Sequence, residues 1–457
     1  MSGKDQKHKR ENTPANKKSG VEARGKGGEN KSSGGQNTGV MPDDMTPKWR
    51  PELAFTENKY YMVISKKCHK LKMTAIIATI VFILSMMTVF GNEITVENFK
   101  YLIKDLDIGA IRNSDIYSRI IYDGATSTEF GMFKGDLAVV GSGSSNLYNM
   151  AGSSVFTKTN SFYDPVLLTS DKYFMVYDKG DTSCTYTVYN AFSELKTEKM
   201  EYPIASASIA SNGSYAIVTR SSDYKGMVYI YNNNFRVICK IQKDKYIMNC
   251  QLRSDGKKAL VLSAYDNAGA WCSEIMVCDI STGGSDVVET IEGEIALTSG
   301  YHSDGSFSVM TDKSIIFYSS SGEQTRKYDL SGNSPINCKF GGKYSILAYN
   351  HNVIGTDKAI VIFDNVGNTV YEGTHTGEIT STMLTDDYAY ILFDERLERI
   401  TVSDGAIRSV GIDANCLDFV DTGSGYFLLC YSGVAVPVSF TEDNTNTAET
   451  SGADSAS

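Results

Sequence analysis

The alternation of apolar and polar residues is preceded by one uninterrupted apolar stretch. Residues 73–90 read MTAIIATIVFILSMMTVF and carry no charge. A bilayer core about 30 Å thick needs roughly 20 helical residues, so this stretch predicts a single transmembrane helix. The alternative is a cleaved signal peptide. The stretch starts only at residue 73 and ends without a small-residue cleavage site, which favours an uncleaved signal anchor.

Residues 91–113 follow the apolar stretch and contain a short segment with helical periodicity. Thr95 is a candidate helix cap, and four apolar residues at spacings of three and four share one face, namely Phe99, Leu102, Ile103 and Leu106. The segment predicts a short amphipathic juxtamembrane helix.

From residue 114 to residue 440, short apolar segments recur with a period near 40 residues. The better units open at residues 166, 204, 247, 295, 336, 379 and 414, at separations of 38, 43, 48, 41, 43 and 35 residues. Each unit has room for four strands separated by turns such as Ser-Asn-Gly and Ser-Asp-Gly. This period predicts an all-β fold, a β-propeller of four-stranded blades. A poorer unit near Thr126 makes the count eight, with seven as the alternative.

The last unit, residues 414–440, holds three strands rather than four. These strands are predicted at Cys416–Val420, Tyr426–Tyr431 and Val434–Phe440, and an extra strand, Arg119–Asp123, precedes the first unit. If the extra strand completes the last blade, the ring closes and no sheet edge at the junction is left unpaired.

Charge divides the chain into two unlike parts. Residues 1–72 hold 16 Lys and Arg against 8 Asp and Glu, whereas residues 91–457 hold 28 against 46. Because positive residues stay on the cytoplasmic side, we expect a single-pass protein of the cell membrane with a cytoplasmic N-terminus and an extracellular domain. Residues 1–72 predict a disordered basic tail and residues 441–457 a disordered acidic tail. We expect no nucleic-acid partner.

Candidate metal ligands are few. Three histidines outside the basic tail fall in different units, and a three-histidine site on the ring axis is the alternative to ordinary loop positions for His302, His351 and His375. The tripeptide Ser-Asp-Gly at 254–256, 303–305 and 403–405 resembles half of a calcium loop, but it is also a common hairpin turn. We therefore predict no metal site and no cofactor.

Nine cysteines are present, and three of them follow an asparagine in their units. Equivalent positions on different blades are too far apart for a disulfide, so the pattern predicts buried packing residues at Cys250, Cys338 and Cys416. Cys272 and Cys278 are the alternative, as a pair bridged across a hairpin.

Two acidic clusters are the strongest candidates for catalysis. Paired carboxylates can hydrolyse glycosides, and four acidic residues lie close together in the sequence, Asp386, Asp387, Asp394 and Glu395. The motifs of serine hydrolases, phosphate loops and zinc proteases are absent from the sequence. We predict that the protein is not an enzyme, and we assign no catalytic residue.

The layout of the chain resembles a known family. The matching features are the basic tail, the single anchor, the segment ENFKYLIKDLDI at 97–108 and the Tyr-rich blades. They are similar to a family of membrane-anchored propeller proteins of Gram-positive anaerobic bacteria, a domain of unknown function. More broadly, the repeat resembles quinoprotein and WD-repeat propellers. Trp271 is the single tryptophan after the anchor, however, so the tryptophan docking motif of quinoprotein dehydrogenases is missing.

These observations favour a membrane-anchored extracellular propeller that acts as a non-enzymatic binding or scaffolding module at the cell envelope. The expected partner is an envelope protein or a cell-wall glycan. The alternatives are a glycan-active enzyme that uses acidic residues on one rim of the ring, and a transmembrane sensor.

Overall fold

The computed structural model describes residues 51–90, 118–124, 127–180, 182–350 and 357–440 of the 457-residue chain. The chain divides into two compact units, Met1–Gly91 and Asn92–Ser457. The described part of the first unit is a helix, and that of the second is an all-β domain. The predicted juxtamembrane helix and the acidic tail lie outside the described residues.

Helix α1 (Pro51–Phe90) contains the apolar stretch. Proline suits its first position because the missing N–H is one that a helix leaves unpaired. The hydroxyls of Thr74 and Thr79 each donate to a backbone carbonyl four residues earlier, at 2.9 Å, so these polar groups are satisfied without water. Within the described part of the chain, α1 is the one helix long and apolar enough to cross a membrane, over Met62–Ser85.

Helix α1 begins earlier than the residue pattern predicts. Residues 51–72, assigned above to the disordered tail, form the first part of the helix. A helix has a costly nucleus but adds residues readily once it has formed. The apolar stretch therefore allows the polar residues before it to continue the helix, and their composition alone does not indicate this.

The second unit starts with strand β1 (Ile120–Ile121) and continues with the first four blades. Blade 1 contains β2 (Thr128–Phe133), β3 (Asp136–Gly141), β4 (Ser144–Tyr148) and β5 (Ser154–Thr159). Blade 2 contains β6 (Pro165–Thr169), β7 (Phe174–Asp178), β8 (Thr185–Tyr189) and β9 (Glu194–Lys199). Blade 3 contains β10 (Ile204–Ile209), β11 (Tyr215–Thr219), β12 (Gly226–Tyr231) and β13 (Val237–Lys243). Blade 4 contains β14 (Tyr246–Leu252), β15 (Lys258–Asn267), β16 (Ala270–Asp279) and β17 (Ser285–Glu292).

The remaining blades repeat the same antiparallel order. Blade 5 contains β18 (Ala296–Tyr301), β19 (Phe307–Thr311), β20 (Ser314–Tyr318) and β21 (Gln324–Asp329). Blade 6 contains β22 (Pro335–Phe340), β23 (Tyr344–Asn350), β24 (Asp357–Asp364) and β25 (Thr369–Thr376). Blade 7 contains β26 (Ile379–Leu384), β27 (Tyr388–Phe393), β28 (Arg396–Thr401) and β29 (Ile407–Gly411). Blade 8 contains β30 (Asp418–Asp421), β31 (Tyr426–Cys430) and β32 (Val434–Ser439).

Strand β1 closes the ring. Blade 8 has the order β1-β32-β31-β30, in which Ile120 pairs with Ala435 and Ile121 with Val434. The predicted β-propeller fold is therefore confirmed, and so is its closure by the strand that precedes the first unit. Over the described residues the blade count is eight, not seven. The last blade takes its fourth strand from the start of the domain because its own sequence supplies three.

The core of the described propeller is divided into eight apolar clusters, one at each interface between neighbouring blades. Between blades 3 and 4, for example, Val218 and Ile230 belong to one cluster with Val261 and Met276. The second strand is buried along its whole length in blades 1, 2, 3 and 5. Both faces of such a strand are covered by neighbouring blades, which explains its continuous apolar sequence.

Candidate functional site at the central channel

The first strand of each blade lies nearest the ring axis. Neighbouring first strands contact one another around the ring, in the order β2, β6, β10, β14, β18, β22, β26, β30 and back to β2. Each of these strands is hydrogen-bonded to its own second strand on the outer side. A side chain that remains exposed on a first strand therefore faces the central channel or one of its two mouths.

Five consecutive first strands share the same irregularity. In blades 3 to 7 the register against the second strand shifts by one residue near the start of the first strand. Such a β-bulge places one extra residue outside the ladder and turns its side chain away from the regular sheet. The five extra residues are exposed and occupy equivalent places around one channel mouth, at Ala205, Met248, Leu297, Ile336 and Thr380.

Three of the bulged residues form an exposed apolar surface, here named the apolar arc. Met248, Leu297 and Ile336 stand on the consecutive blades 4, 5 and 6, and their side chains are 37%, 40% and 39% exposed. One exposed apolar residue is ordinary on a protein surface, whereas exposed apolar residues on three neighbouring blades of one mouth are a candidate binding surface. Leu417, directly before β30, adds a fourth exposed apolar side chain on blade 8.

Two carboxyl groups lie on the other side of the ring, and we name Glu129 of β2 and Asp418 of β30 the acidic pair. Burial raises the pKa of Glu129, and the nearby charge of Asp418 raises it further. Burial also raises the pKa of Asp418, although hydrogen bonds from Ser381 and from the Phe419 N–H, at 2.8 Å, act in the opposite direction. Glu129 and Asp418 stand on adjacent first strands, and a nearby like charge disfavours the ionised form of a carboxyl group, here that of Glu129.

Removing the charge at position 418 should stabilise the protein. A carboxyl group whose pKa is raised in the folded protein stabilises the fold only while it is protonated. This stabilisation is fully present below the ordinary pKa, here 3.8, and it is lost as the pH rises through the raised pKa. At pH 7 the carboxylate is therefore unfavourable, and Asp418→Asn should raise the free energy of unfolding by about 0.5–1 kcal/mol. Denaturant unfolding across pH measures this, and the gain should shrink as the pH falls toward 3.8.

The matched control for this prediction is Asp171→Asn, which alters an exposed aspartate before β7. It should leave the free energy of unfolding unchanged within about 0.5 kcal/mol. If Asp418→Asn instead lowers the free energy of unfolding at pH 7, the ionised carboxylate stabilises the fold. The prediction that the acidic pair destabilises the protein would then be wrong.

A cavity of about 550 Å³ lies toward the opposite mouth of the channel, lined by blades 3 to 6. His302 closes one side of it and is itself 3% exposed. Its Nδ1 lies 2.8 Å from the Gly341 carbonyl and its Nε2 2.7 Å from the Ser308 hydroxyl. Burial lowers the pKa of this imidazole, so the neutral ring donates through Nδ1 and accepts at Nε2. His302 therefore links blades 5 and 6 by hydrogen bonds, and both of its ring nitrogens already have partners.

The other histidines do not join His302. His375 lies on β25, the outermost strand of blade 6, where its ring contacts Tyr371 and Glu398. His351 is outside the described residues. Across the residues that the structure describes, no group of three His, Cys, Asp or Glu side chains is arranged to hold a metal ion.

The four acidic residues considered for glycoside hydrolysis do not meet. Asp386 and Asp387 precede β27, whereas Asp394 and Glu395 follow it. An extended strand of this length separates its ends by about 20 Å, while the two carboxyl groups of a glycosidase are roughly 5–10 Å apart. Asp386 is paired with Lys343 at 2.9 Å. The two clusters therefore lie at opposite ends of β27, on opposite faces of the ring, and do not form an acid–base pair.

The Ser-Asp-Gly tripeptides are turns. Gly256 and Gly305 have φ of +68° and +86°, a left-handed conformation that glycine adopts without strain. Asp255 is held by Arg253 at 2.6 Å and Asp304 by the side chain of Asn365 at 2.7 Å. The Asp255 contact lies within its own turn, whereas Asp304 accepts from Ser306 of its own turn and from Asn365 of the neighbouring blade 6.

The cysteines pack in blade interfaces. Cys250 and Cys338 occupy equivalent register positions on β14 and β22, whereas Cys416 precedes β30 and does not share that position. Cys272 and Cys278 lie on the same strand, β16, so they cannot pair across a hairpin. Each of these thiols is free.

The family of the chain follows from its sequence. Residues 113–433 match a family model described as "Family of unknown function (DUF5711)". The chain belongs to this family. The matched residues cover the propeller almost from end to end and do not include helix α1. A comparison with curated proteins returns no match.

Several solved structures are similar to this chain. BamB from Moraxella catarrhalis is similar with a TM-score of 0.50 and 12% identity, over 71% of this chain and 98% of BamB. A eukaryotic initiation factor has a TM-score of 0.48 and 12% identity, over 69% and 90% of the two chains. Kuenenia stuttgartiensis hydrazine synthase has a TM-score of 0.43 and 11% identity, over 72% and 98%. At such identity the likeness to BamB shows the fold alone.

Proposed function

We propose that this protein is a membrane-anchored binding module whose partner docks on the channel mouth formed by the apolar arc and the acidic pair. The observation that carries the proposal is the repeated bulge, which places Met248, Leu297 and Ile336 in exposed, equivalent positions on three consecutive blades. Burial of such apolar side chains drives most protein association.

A second feature of the same face supports this location. Strands β15 and β16 form the longest hairpin among the described blades, and Trp271 near its tip is half exposed. Its ring lies 6.5 Å from that of Tyr246, which stands two residues before the bulged Met248. Tryptophan and tyrosine supply much of the energy at protein interfaces. The partner surface therefore extends from the channel mouth outward along blade 4.

The membrane part of the proposal rests on helix α1 and the charges around it. Lys66, Lys67, Lys70 and Lys72 directly precede the apolar stretch, and positive residues favour the cytoplasmic side. We therefore assign the N-terminus to the cytoplasm and the propeller to the cell exterior. Binding is favoured over glycan hydrolysis because the acidic clusters of blade 7 stand on opposite faces. An envelope protein is the proposed partner.

Photo-crosslinking in intact cells tests this function. A photoreactive phenylalanine analogue at Leu297, within the apolar arc, should give discrete adducts with envelope proteins. The same residue at Ser321, in the exposed turn between β20 and β21 on the opposite face, is the control and should give none. Equal adducts from both positions, or none from Leu297, would contradict a docking site at this mouth. Adducts with cytoplasmic proteins alone would contradict the orientation.

A further inference from the structure

The channel mouth has two chemically different sides. The acidic pair stands on blades 8 and 1, and the apolar arc on blades 4, 5 and 6. In a ring of eight, blades 4 and 5 lie opposite blades 8 and 1, so Met248 and Leu297 face Asp418 and Glu129 across the mouth. A ligand that fills the mouth must present an apolar side to one half of the ring and a polar side to the other.

The acidic pair has lysines nearby but no ion pair within the described residues. Lys339 of β22 lowers the pKa of both carboxyl groups. Lys179 also lowers the pKa of Glu129 and Asp164 raises it, and the pKa values of Glu129 and Asp418 both stay raised. Neither Glu129 nor Asp418 forms an ion pair within 4.0 Å in the described part of the chain. A cation placed between two neighbouring carboxylates offsets their repulsion. Guanidinium and ammonium groups bind carboxylates through charge-assisted hydrogen bonds.

We propose that the mouth binds a polypeptide segment of the partner that carries a lysine or arginine flanked by apolar side chains. The basic group lies between Glu129 and Asp418, and the apolar side chains lie on the apolar arc. This inference rests on the proposed function and adds the chemistry of the ligand.

The charge of the whole domain argues against an anionic polymer in this place. Residues 91–457 carry 46 Asp and Glu against 28 Lys and Arg, so the domain repels nucleic acid and acidic cell-wall polymer and attracts cationic segments. A neutral glycan would add no counter-charge at the acidic pair. A basic, partly apolar peptide satisfies both sides of the mouth.

Selection from a random peptide library on the full-length protein in lipid nanodiscs tests the inference. The enriched peptides should contain a lysine or arginine beside apolar residues. Replacing that basic residue of a selected peptide with glutamine should weaken binding about tenfold, equivalent to about 1.4 kcal/mol. The binding should also weaken as salt is added, because charge interactions at an open mouth are screened.

Three double variants locate the site. Glu129→Gln with Asp418→Asn should weaken binding about tenfold, and Leu297→Ser with Ile336→Ser should do the same through lost apolar contact. The control, Asp386→Asn with Asp387→Asn, changes two exposed acidic residues on the opposite face and should leave binding unchanged. The acidic-pair variant should be at least as stable as the parent protein, so its loss of binding cannot be attributed to unfolding.

The outcomes separate the inference from the proposed function. Enrichment of acidic or uncharged peptides that compete with crosslinking at Leu297 would overturn the ligand chemistry and leave the docking site standing. Unchanged binding by the acidic-pair variant would also overturn it. Enrichment of no peptide counts against the inference, and, if Leu297 also gives no crosslink in cells, against the proposed function as well.

Discussion

Replacing Ile120 with aspartate should lower the free energy of unfolding by about 4 kcal/mol or more. Ile120 is 0% exposed and belongs to the cluster that joins blades 8 and 1. An aspartate there would bury a charge without a partner and detach the two-residue strand that closes the ring. Denaturant unfolding of the full-length protein measures the loss, and a less cooperative transition should accompany it, because an open ring exposes two blade surfaces.

The neighbouring residue provides a matched control. Ile121 lies on the same strand and is 75% exposed, so Ile121→Asp should change the free energy of unfolding by no more than about 0.5 kcal/mol. Equal losses in the two variants would indicate that β1 tolerates no charge on either side. If Ile120→Asp is as stable as the parent protein, closure by β1 contributes little to the stability of the propeller.

The second large effect is expected at Glu398. This buried carboxylate lies 2.7 Å from His375 Nδ1 and accepts from Arg396 Nε at 2.6 Å. Glu398→Ala leaves both partners without their acceptor at the interface of blades 6 and 7. Because loss of one partner from a buried ion pair costs 3–5 kcal/mol, we expect a loss of about 3 kcal/mol in the free energy of unfolding. Thermal or denaturant unfolding measures it.

Acid titration provides an independent readout for Glu398. Burial alone would raise its pKa, but the hydrogen bonds from His375 and Arg396 outweigh burial, and the pKa is lowered. Such a group contributes stability above its ordinary pKa of 4.5 and loses it as the pH falls through the lowered value. Glu398→Ala should therefore flatten the acid limb of the stability profile. The control Glu395→Ala, at an exposed position three residues away, should alter neither quantity.

The blades could be predicted from the sequence because the residue patterns that mark their strands and turns are local. Alternating apolar residues mark a strand, and tripeptides such as that at 303–305 mark the turn where a glycine takes a positive φ. Strand segments recur in each unit and such tripeptides in four of them, so the units could be counted. The missing strand of the last unit and the surplus strand before the first also predicted the closure by β1.

The same local view leaves open whether the acidic clusters of blade 7 meet, although it assigns no catalytic residue there. Asp387 and Asp394 are near each other in sequence, but the residues between them form an extended strand, which carries them to opposite faces. For residues 51–72 the polar composition predicts disorder. The structure instead shows that helix α1 extends through them.

The residues that meet at the channel mouth could not be predicted from the sequence. Met248 and Leu297 have the residue types of ordinary strand positions, and a bulge is a shift in register between two strands that leaves little mark in the hydrophobic pattern of either. A possible signal is the local break in alternation, where Ile247 and Met248 are consecutive apolar residues. Glu129 and Asp418 lie near opposite ends of the domain sequence, and only closure of the ring makes their strands neighbours.

The sequence by itself therefore determined the apolar helix, the four-stranded repeat, the number of blades within one, and the strand that closes the ring. Each of these depends on residue patterns within about 40 positions. The tertiary structure alone decided which side chains meet at the channel: the apolar arc arises from register shifts in three strands, and the acidic pair from the meeting of the first and last blades. Such contacts depend on pairing between distant segments, and a local pattern does not encode that pairing.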